Sequence, residues 1–431
     1  MHLDEGVKKY LAERRGMTHR RQTKGSFYHA YLNFLIGFLV PGRKRVCTVD
    51  ESFEGFAGTN TYEYVVMSDI LGHAHDVEEL LRDARGALVP HGRVVVTQYN
   101  FLWEPVLRLA SILGLRAPSG EQNWLSPHDF RNFLYLTGFG VIREGNKMLL
   151  PVYVPLLSAF CNTILVNIWP FSKLGLIHYI VARPSPAAPA DNPSLSIIVP
   201  ARNETGTIER IVKELPTLGA FTEIIFIEGH SKDHTLEEIK RVAQLYKDKK
   251  RILYTIQDGN GKGDAVRKGF EMATGDVLAI YDADMTVPPH DVEKFYRAIV
   301  SHQGDFINGS RLVYPVEKGA MRVLNFFGNK FFSLAFTAIL GQSLKDTLCG
   351  TKVLWKKDYE DIKRNRTFFG DFDPFGDFDL LFGATKLNLK IIEIPVRYKD
   401  RIYGETNISR WKHGWLLLKM TVFAARKLKF W

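Results

Sequence analysis

The sequence predicts an α/β protein made of two open, doubly wound sheets. Three observations carry that prediction. Short apolar runs alternate with segments of helical periodicity in both halves of the 431-residue chain. A Pro/Ala-rich linker, residues 183–194, has no core-forming pattern and separates the halves. In the second half the apolar runs end in acidic or other polar residues, at the edge where open α/β sheets bind ligands.

At 45% hydrophobic and 24% charged residues, the chain is globular rather than disordered. Its length exceeds that of a usual single domain. The formal charge of +10 permits a phosphate-rich substrate, an anionic membrane surface or nucleic acid as partner, and charge alone does not choose among them. Cys47, Cys161 and Cys349 lie far apart, with neither metal spacing nor a disulfide framework, as in a reducing compartment. Residues 1–10 are charged and lack an apolar core, so no signal peptide is expected. Residues 148–171 carry no charge, but Pro151, Pro155, Asn162, Asn167 and Pro170 argue against a straight transmembrane helix. Residues 321–342 and 411–431 mix apolar, aromatic and Lys/Arg residues, the pattern of helices lying in a membrane interface. The plainer reading packs each helix on its own domain.

In the first half, residues 25–39 form an aromatic-rich helical stretch and residues 43–50 a short strand. Residues 62–68 read as a firmer strand. Asp76 precedes a helix in which Val77, Leu80, Leu81, Ala84 and Leu88 share a face. Pro90-His91-Gly92 turns the chain, and residues 93–98 form a third strand. Ser126 caps a helix that starts at Pro127 and runs to Leu136. Gly138-Phe139-Gly140 leads into another strand. His73 and His75 have no third ligand nearby and read as loop residues before the Asp76 cap rather than as a metal site.

The second half opens with a strand over residues 195–200, followed by a helix through Ile208, Ile211 and Leu215. Residues 223–228 form the next strand, and the loop 229–235 caps another helix. A strand over 251–255 precedes Gly261-Lys262-Gly263, which opens a helix. Residues 278–281 then run as a buried strand into Asp282-Ala283-Asp284, and Pro288-Pro289 breaks the chain into a loop. Alternate residues of an extended segment point the same way, so Asp282 and Asp284 converge past the strand end. Two hard oxygen donors on one side suit Mg²⁺ or Mn²⁺, with a substrate's phosphates completing the shell. An isolated Asp-x-Asp is equally a common solvated turn.

Residues 195–409 resemble the family 2 glycosyltransferases of GT-A fold, and among them the dolichol- and polyprenyl-phosphate sugar synthases. The pieces that carry the resemblance stand in order: Val199-Pro200-Ala201-Arg202-Asn203-Glu204, Glu228-Gly229-His230-Ser231-Lys232-Asp233, Gly261-Lys262-Gly263, Asp282-Ala283-Asp284, Gly309-Ser310-Arg311, Asp346-Thr347-Leu348-Cys349-Gly350-Thr351-Lys352, and Arg401 with Gly404-Glu405-Thr406. Residues 1–182 resemble the latter part of a class I S-adenosylmethionine-dependent methyltransferase. That likeness rests on Tyr64-Val65-Val66-Met67-Ser68-Asp69, the helix to Leu88, Pro90-His91-Gly92-Arg93-Val94-Val95-Val96 and Leu136-Thr137-Gly138-Phe139. It departs where such enzymes hold their cofactor, since Val46-Cys47-Thr48-Val49-Asp50 is followed by no Gly-x-Gly. The implied domain is degenerate, and no S-adenosylmethionine is expected. Residues 410–431 would form an amphipathic interfacial helix.

The resemblance implies a nucleotide-sugar donor, UDP- or GDP-linked, with base and ribose between Pro200, Arg202, Glu204 and Glu228. The family usually has Asp at the Glu228 position. Gly261 and Lys262 would approach the nucleotide from a helix N-terminus. Asp282 and Asp284 would hold the divalent ion across the diphosphate, with Thr286 at a further ligand position. Arg311 offers a guanidinium fork to phosphate. Arg401, assisted by Ser310, would take the acceptor phosphate. Asp346, and Asp379 near the acceptor side, are the candidate catalytic carboxylates; Asp377 is a further acid there. Thr406-Asn407 replaces the family's common Ser-Lys and removes a positive charge.

The expectation is an inverting, metal-dependent hexosyltransferase acting on a polyprenyl or dolichyl phosphate at the cytoplasmic membrane face, peripheral or monotopic, with no nucleic acid. A homo-oligomer or a membrane partner protein is compatible with it. A lipid phosphate is already an anion and needs little base catalysis, whereas a saccharide or lipid hydroxyl would need a base such as Asp346 or Asp379. A live methyltransferase domain and a basic membrane- or nucleic-acid-binding scaffold are the remaining alternatives.

Overall fold

The computed structural model describes residues 27–42, 45–49, 53, 55–114, 122–185, 189–314, 323–366, 378–399, 401, 403 and 410–430. The chain divides into two compact units, one holding residues 1–186 and the other residues 187–429.

The first unit contains α1 (Phe27–Leu39), β1 (Val46–Val49), β2 (Tyr62–Ser68), α2 (Val77–Ala87), β3 (Leu88–Tyr99), α3 (Glu104–Ile112), α4 (Pro127–Leu136), β4 (Phe139–Lys147) and β5 (Ile177–Pro184). Its sheet has the order β1-β2-β3-β5-β4. The first three strands are parallel, and β5 is antiparallel to both neighbours. Local chemistry fixes the helices as the sequence predicts. Asp76 accepts from the Glu79 amide and caps α2, whose Val77, Leu80, Leu81 and Ala84 enter the core. Ser126 and Asp129 cap α4 reciprocally.

Two expectations for this unit are corrected, the turn at residues 90–92 and the start of the linker. Pro90-His91-Gly92 is not a turn before the third strand but lies within β3. Tyr62 pairs with Leu88 and Tyr64 with Arg93, so five steps on β3 oppose two on β2 and the excess bulges. Strand β5 is not anticipated, and Arg183 and Pro184, assigned to the linker, are its last residues. Residues 157–173 form short helical turns, and among the described residues no helix is long and apolar enough to cross a membrane.

The second unit contains β6 (Leu195–Ala201), α5 (Ile208–Glu214), β7 (Thr222–Glu228), α6 (Thr235–Leu245), β8 (Arg251–Ile256), α7 (Lys262–Met272), β9 (Val277–Ile280), α8 (Val292–Val300), β10 (Phe306–Ser310), α9 (Val323–Leu340), β11 (Lys352–Trp355), α10 (Lys356–Arg364), α11 (Phe378–Lys386), β12 (Ile391–Pro395) and α12 (Arg410–Leu428). Seven strands run in the order β12-β10-β11-β9-β6-β7-β8, and β11 alone is antiparallel to its neighbours. Strands β6, β7 and β9 are buried on both faces, which is why they read as unbroken apolar runs. The core beneath them joins Ile197, Val199, Phe226, Ala279 and Tyr281 to Ile208, Ile211 and Phe295 of the covering helices. Helices α9 and α12 touch each other, with Leu417, Met420 and Ala424 of α12 buried.

Candidate active site at the strand ends

The carboxyl ends of β6, β7 and β9 lie side by side, and each leads into a tight loop holding a non-glycine residue in the left-handed region: Asn203, His230 and Met285. Residues with φ near +55° are held there only by their surroundings. The Asn203 side chain accepts from the Lys232 backbone amide, and the Asn203 backbone amide donates to Ser231 Oγ, lacing two of these loops together. After β9 the chain curls back. The buried Tyr281 hydroxyl donates to the Val287 carbonyl at 2.6 Å and closes the loop that carries Asp282 and Asp284.

Each aspartate has a different cation. Lys262 Nζ lies 2.6 Å from Asp282 Oδ1, placed there by Gly261, which caps α7 at φ +88°. Burial opposes the charge of Asp282, but Lys262, with Lys352 and Arg311 adding to it, holds its carboxyl below the ordinary range. Asp284 Oδ2 lies 3.0 Å from Arg401, whose other arm reaches Glu204 Oε1 at 2.9 Å. Glu204 is buried, and burial pushes its carboxyl up to about 7; Arg401 opposes the shift, and the carboxylates of Asp284, Asp233 and Asp282 reinforce it. The Glu204 Oε2 atom is buried with no hydrogen-bond partner among the described residues.

The segment after β12 straps these loops. The Lys399 amide donates to the Thr286 carbonyl, Arg401 bridges Glu204 and Asp284, and Tyr403 packs where a β-carbon on Gly206 would come within 2.6 Å of its ring. From the other side comes the loop before β11. A β-carbon on Gly350 would sit 1.9 Å from Asp282 Oδ2. Only glycine allows that backbone so near the carboxylate.

The expected site residues therefore fall into three groups. Glu204, Lys262, Asp282, Asp284 and Arg401 are linked by ion pairs or by one another's fields, with Gly261 at the helix start. Pro200, Arg202 and Glu228 stand at the adjoining strand ends, where Glu228 Oε1 accepts from the Ser231 amide. Thr286 is placed differently from a ligand. Its hydroxyl and amide both donate to Asp284 Oδ1, so it orients that carboxylate.

Arg311 and Asp346 form the third group and engage each other. The guanidinium meets both carboxylate oxygens, at 2.7 and 2.8 Å, and the Arg311 and Leu348 amides also donate to Asp346. Asp346 is fully buried. Burial raises its carboxyl, yet Arg311 and the two amides hold it below the ordinary range. Ser310, beside them, has its hydroxyl buried with no hydrogen-bond partner among the described residues. Asp379 lies 3.5 Å from Arg366 on a different element, α11. Asp377 and residues 404–407 lie outside the described residues.

Two residues carry parts of this frame without a role assigned from the sequence: Glu393, which lies outside every motif, and Lys352, which closes one. Glu393 on β12 accepts from the amides of Lys345 and Asp346 and from Asn308, anchoring the loop that bears Asp346. The fully buried Lys352 donates to the Cys349 carbonyl and adds its field to Asp282. Their sequence signals are an acid inside Ile391-Ile392-Glu393-Ile394 and a lysine opening an apolar strand.

Asp282, Asp284, the helix-borne Lys262 and the bridging Arg401 thus gather at the carboxyl edge of the sheet, the edge at which open α/β sheets bind ligands. Residues 196–363 match the family model "Glycosyl transferase family 2". Curated relatives include glycosyltransferase AglD of Haloferax volcanii, 28% identical over 52% of this chain and 35% of that protein. Dolichol-phosphate mannosyltransferase of Pyrococcus furiosus is 27% identical over 50% of this chain and 59% of that one. The chain thus spans about a third of the first relative and three fifths of the second. Among solved structures, glucosyl-3-phosphoglycerate synthase of Mycobacterium tuberculosis, in complex with Mn²⁺, UDP and glucosyl-3-phosphoglycerate, aligns at 16% identity and a TM-score of 0.39 over 55% of this chain and 80% of that one.

Proposed function

We propose that the protein is an inverting, metal-dependent glycosyltransferase that moves a hexose from a UDP- or GDP-sugar to a polyprenyl or dolichyl phosphate at a membrane surface. The observation that carries this reading is that Asp282 and Asp284, each paired with its own cation, stand just past β9 at the edge shared with β6 and β7. The relative named as a dolichol-phosphate mannosyltransferase supports the acceptor class.

Among the described residues no three His, Cys, Asp or Glu side chains cluster as a metal site, so the two aspartates would hold a divalent ion only with a substrate's phosphates completing its shell. Asp282 and Asp284 offer hard oxygens, and the buried Glu204 Oε2 has no hydrogen-bond donor among the described residues. A Mg²⁺ or Mn²⁺ held by Asp282 and Asp284 would neutralise charge on the leaving nucleoside diphosphate. Lys262, at the start of α7, reaches the same phosphates with its ammonium. Glu228 and Glu204 bound the pocket for base and ribose. Once Asp284 has turned to the ion, Arg401 is available to the acceptor phosphate, with the Ser310 hydroxyl to assist. The acceptor oxygen is already anionic, so positioning and electrostatics account for the rate. Transfer to a hydroxyl is the weaker reading, because Asp346 is held ionised with both oxygens occupied by Arg311.

The methyltransferase-like first unit has no assigned reaction in this reading. Its resemblance concerns architecture, and its part is to dock the enzyme. The test is nucleoside diphosphate release from a panel of nucleotide sugars with Mg²⁺ or Mn²⁺, with and without polyprenyl phosphate, for wild type and Asp284→Ala. Release that needs the lipid phosphate and is lost in Asp284→Ala supports the proposal. Release indifferent to the lipid refutes the acceptor, and release from no donor refutes the activity.

A further inference from the structure

We propose that the outer face of the first unit formed by residues 102–113 and 152–174 docks on an anionic lipid bilayer. Helix α3 buries none of its residues, although its Leu107 and the preceding Trp103 pack against the core. Its Val106, Leu109 and Ile112 point outward, the last 81% exposed. The second segment does the same, with Leu156 at 88%, Trp169 at 77% and Phe160 at 50% exposure. The Trp103 indole donates to the Leu174 carbonyl at 2.7 Å and joins the two segments into one face.

The polar groups of this knuckle are turned inward. Asn162 and Ser158 are both buried. The Asn162 side chain accepts from the Leu149 and Leu150 amides and donates to the Leu150 carbonyl. Ser158 accepts from the Val154 amide and donates to the Val152 carbonyl. Asn146 and Asn100 reach in from the sheet side to the carbonyls of Ser172 and Lys173. Polar side chains inside and large apolar ones outside is the reverse of a water-facing loop. It suits a surface where backbone groups find no water and apolar side chains lose none of their stability.

Charge selects the bilayer type. Of the charged residues in the two segments, Glu104 and Arg108 neutralise each other at 2.6 Å, and the exposed Lys173 leaves a net positive charge with no acid in residues 152–174. Exposed Trp169 and Tyr153 are the residue types that settle at headgroup level. The short helical turns would lie in the interface, roughly 5–10 Å deep, without crossing it.

The test is co-sedimentation of the full chain with vesicles of phosphatidylcholine containing about one third phosphatidylserine. It needs neither donor nor acceptor, so it stands or falls independently of the glycosyltransferase reading. Wild type is expected to bind, and Leu156→Ser/Phe160→Ser/Trp169→Ser to partition at least roughly tenfold less with an unchanged far-UV circular dichroism spectrum. Lys173→Glu, a mild exposed change, is expected to weaken binding about fivefold on these vesicles and not on phosphatidylcholine alone. Wild type that stays in the supernatant overturns the proposal. So does a triple variant that binds vesicles like wild type, and one that turns a dimer into a monomer with vesicle binding intact would assign the face to a second copy. If the triple variant misfolds, wild-type binding to phosphatidylserine vesicles with no loss in Lys173→Glu overturns it.

Discussion

Arg311 closes both arms of its guanidinium on Asp346, at 2.7 and 2.8 Å, inside a site where the aspartate is wholly buried. The pair also stacks the arginine 5.1 Å over Tyr398. An acid so held is a frame element rather than a proton acceptor, and an arginine so held does not reach for phosphate without leaving a buried charge behind.

Breaking this pair from one side is therefore expected to cost stability before chemistry. Asp346→Asn should lower the unfolding free energy by about 3–5 kcal/mol, the usual penalty for stranding one member of a buried pair. The double variant Arg311→Met/Asp346→Leu should recover most of that loss. Urea denaturation of the three proteins decides it. A stable but inactive Asp346→Asn would instead assign the carboxylate to the reaction.

Arg401 stands between Glu204 and Asp284, and one fork serves both. A lysine ammonium cannot span two carboxylates in that geometry. Arg401→Ala and Arg401→Lys should both raise the KM for the acceptor phosphate, roughly tenfold or more, with a smaller change in the donor KM. Initial-rate measurements with each substrate varied would show the split. A change confined to the donor KM would remove Arg401 from the acceptor site.

Strands β6, β7 and β9 were legible because burial on both faces leaves an unbroken apolar run, whereas the alternation expected to aim Asp282 and Asp284 together stops with β9 at Ile280, and the turn beyond it gives each a different cation. Strand β5 was not legible, since Ile177–Pro184 runs directly into proline-rich linker chemistry. The bulge in β3 looked like a turn because Pro90 and Gly92 are turn residues wherever they occur. Pairings were the least legible of all. Arg311 meets Asp346 across 35 positions and Arg401 meets Glu204 across 197, and no local pattern records which partner a charged side chain will find. Motif reading therefore offered Arg311, Asp346 and Arg401 as separate groups facing substrate, where the fold first pairs them with the protein.

Gly350 supplies a sharper test of the Asp282 geometry than removing the carboxylate would. In Gly350→Ala the new methyl would start 1.9 Å from Asp282 Oδ2 and 2.4 Å from Lys262 Nζ, so both must move. A displacement of about 1 Å at a reacting centre can cost roughly 100-fold, and a loss of that order in kcat/KM is expected. Calorimetric titration of Mn²⁺ with UDP or GDP should show weakened binding, with a thermal midpoint close to wild type. Wild-type affinity would mean that the carboxylate moves without consequence and does not hold the ion.

His178 makes the first unit sensitive to acid. It is buried on β5 with Nδ1 2.8 Å from Asn146 Oδ1, and burial pushes its pKa down from 6.5 to about 4. The folded state therefore favours the neutral ring. As pH falls below 6.5 the unfolded chain takes up a proton that the folded chain refuses, and stability is lost progressively until about pH 4, where the folded form protonates too. By pH 5 the loss is about 2 kcal/mol relative to pH 7. Replacing His178 by Gln keeps a polar partner for Asn146 and removes the titration. Urea midpoints of the full chain at pH 7 and pH 5 should differ less in His178→Gln than in wild type, by about that amount. An equal pH dependence in the two proteins would show that the buried imidazole does not set the acid limit of this unit.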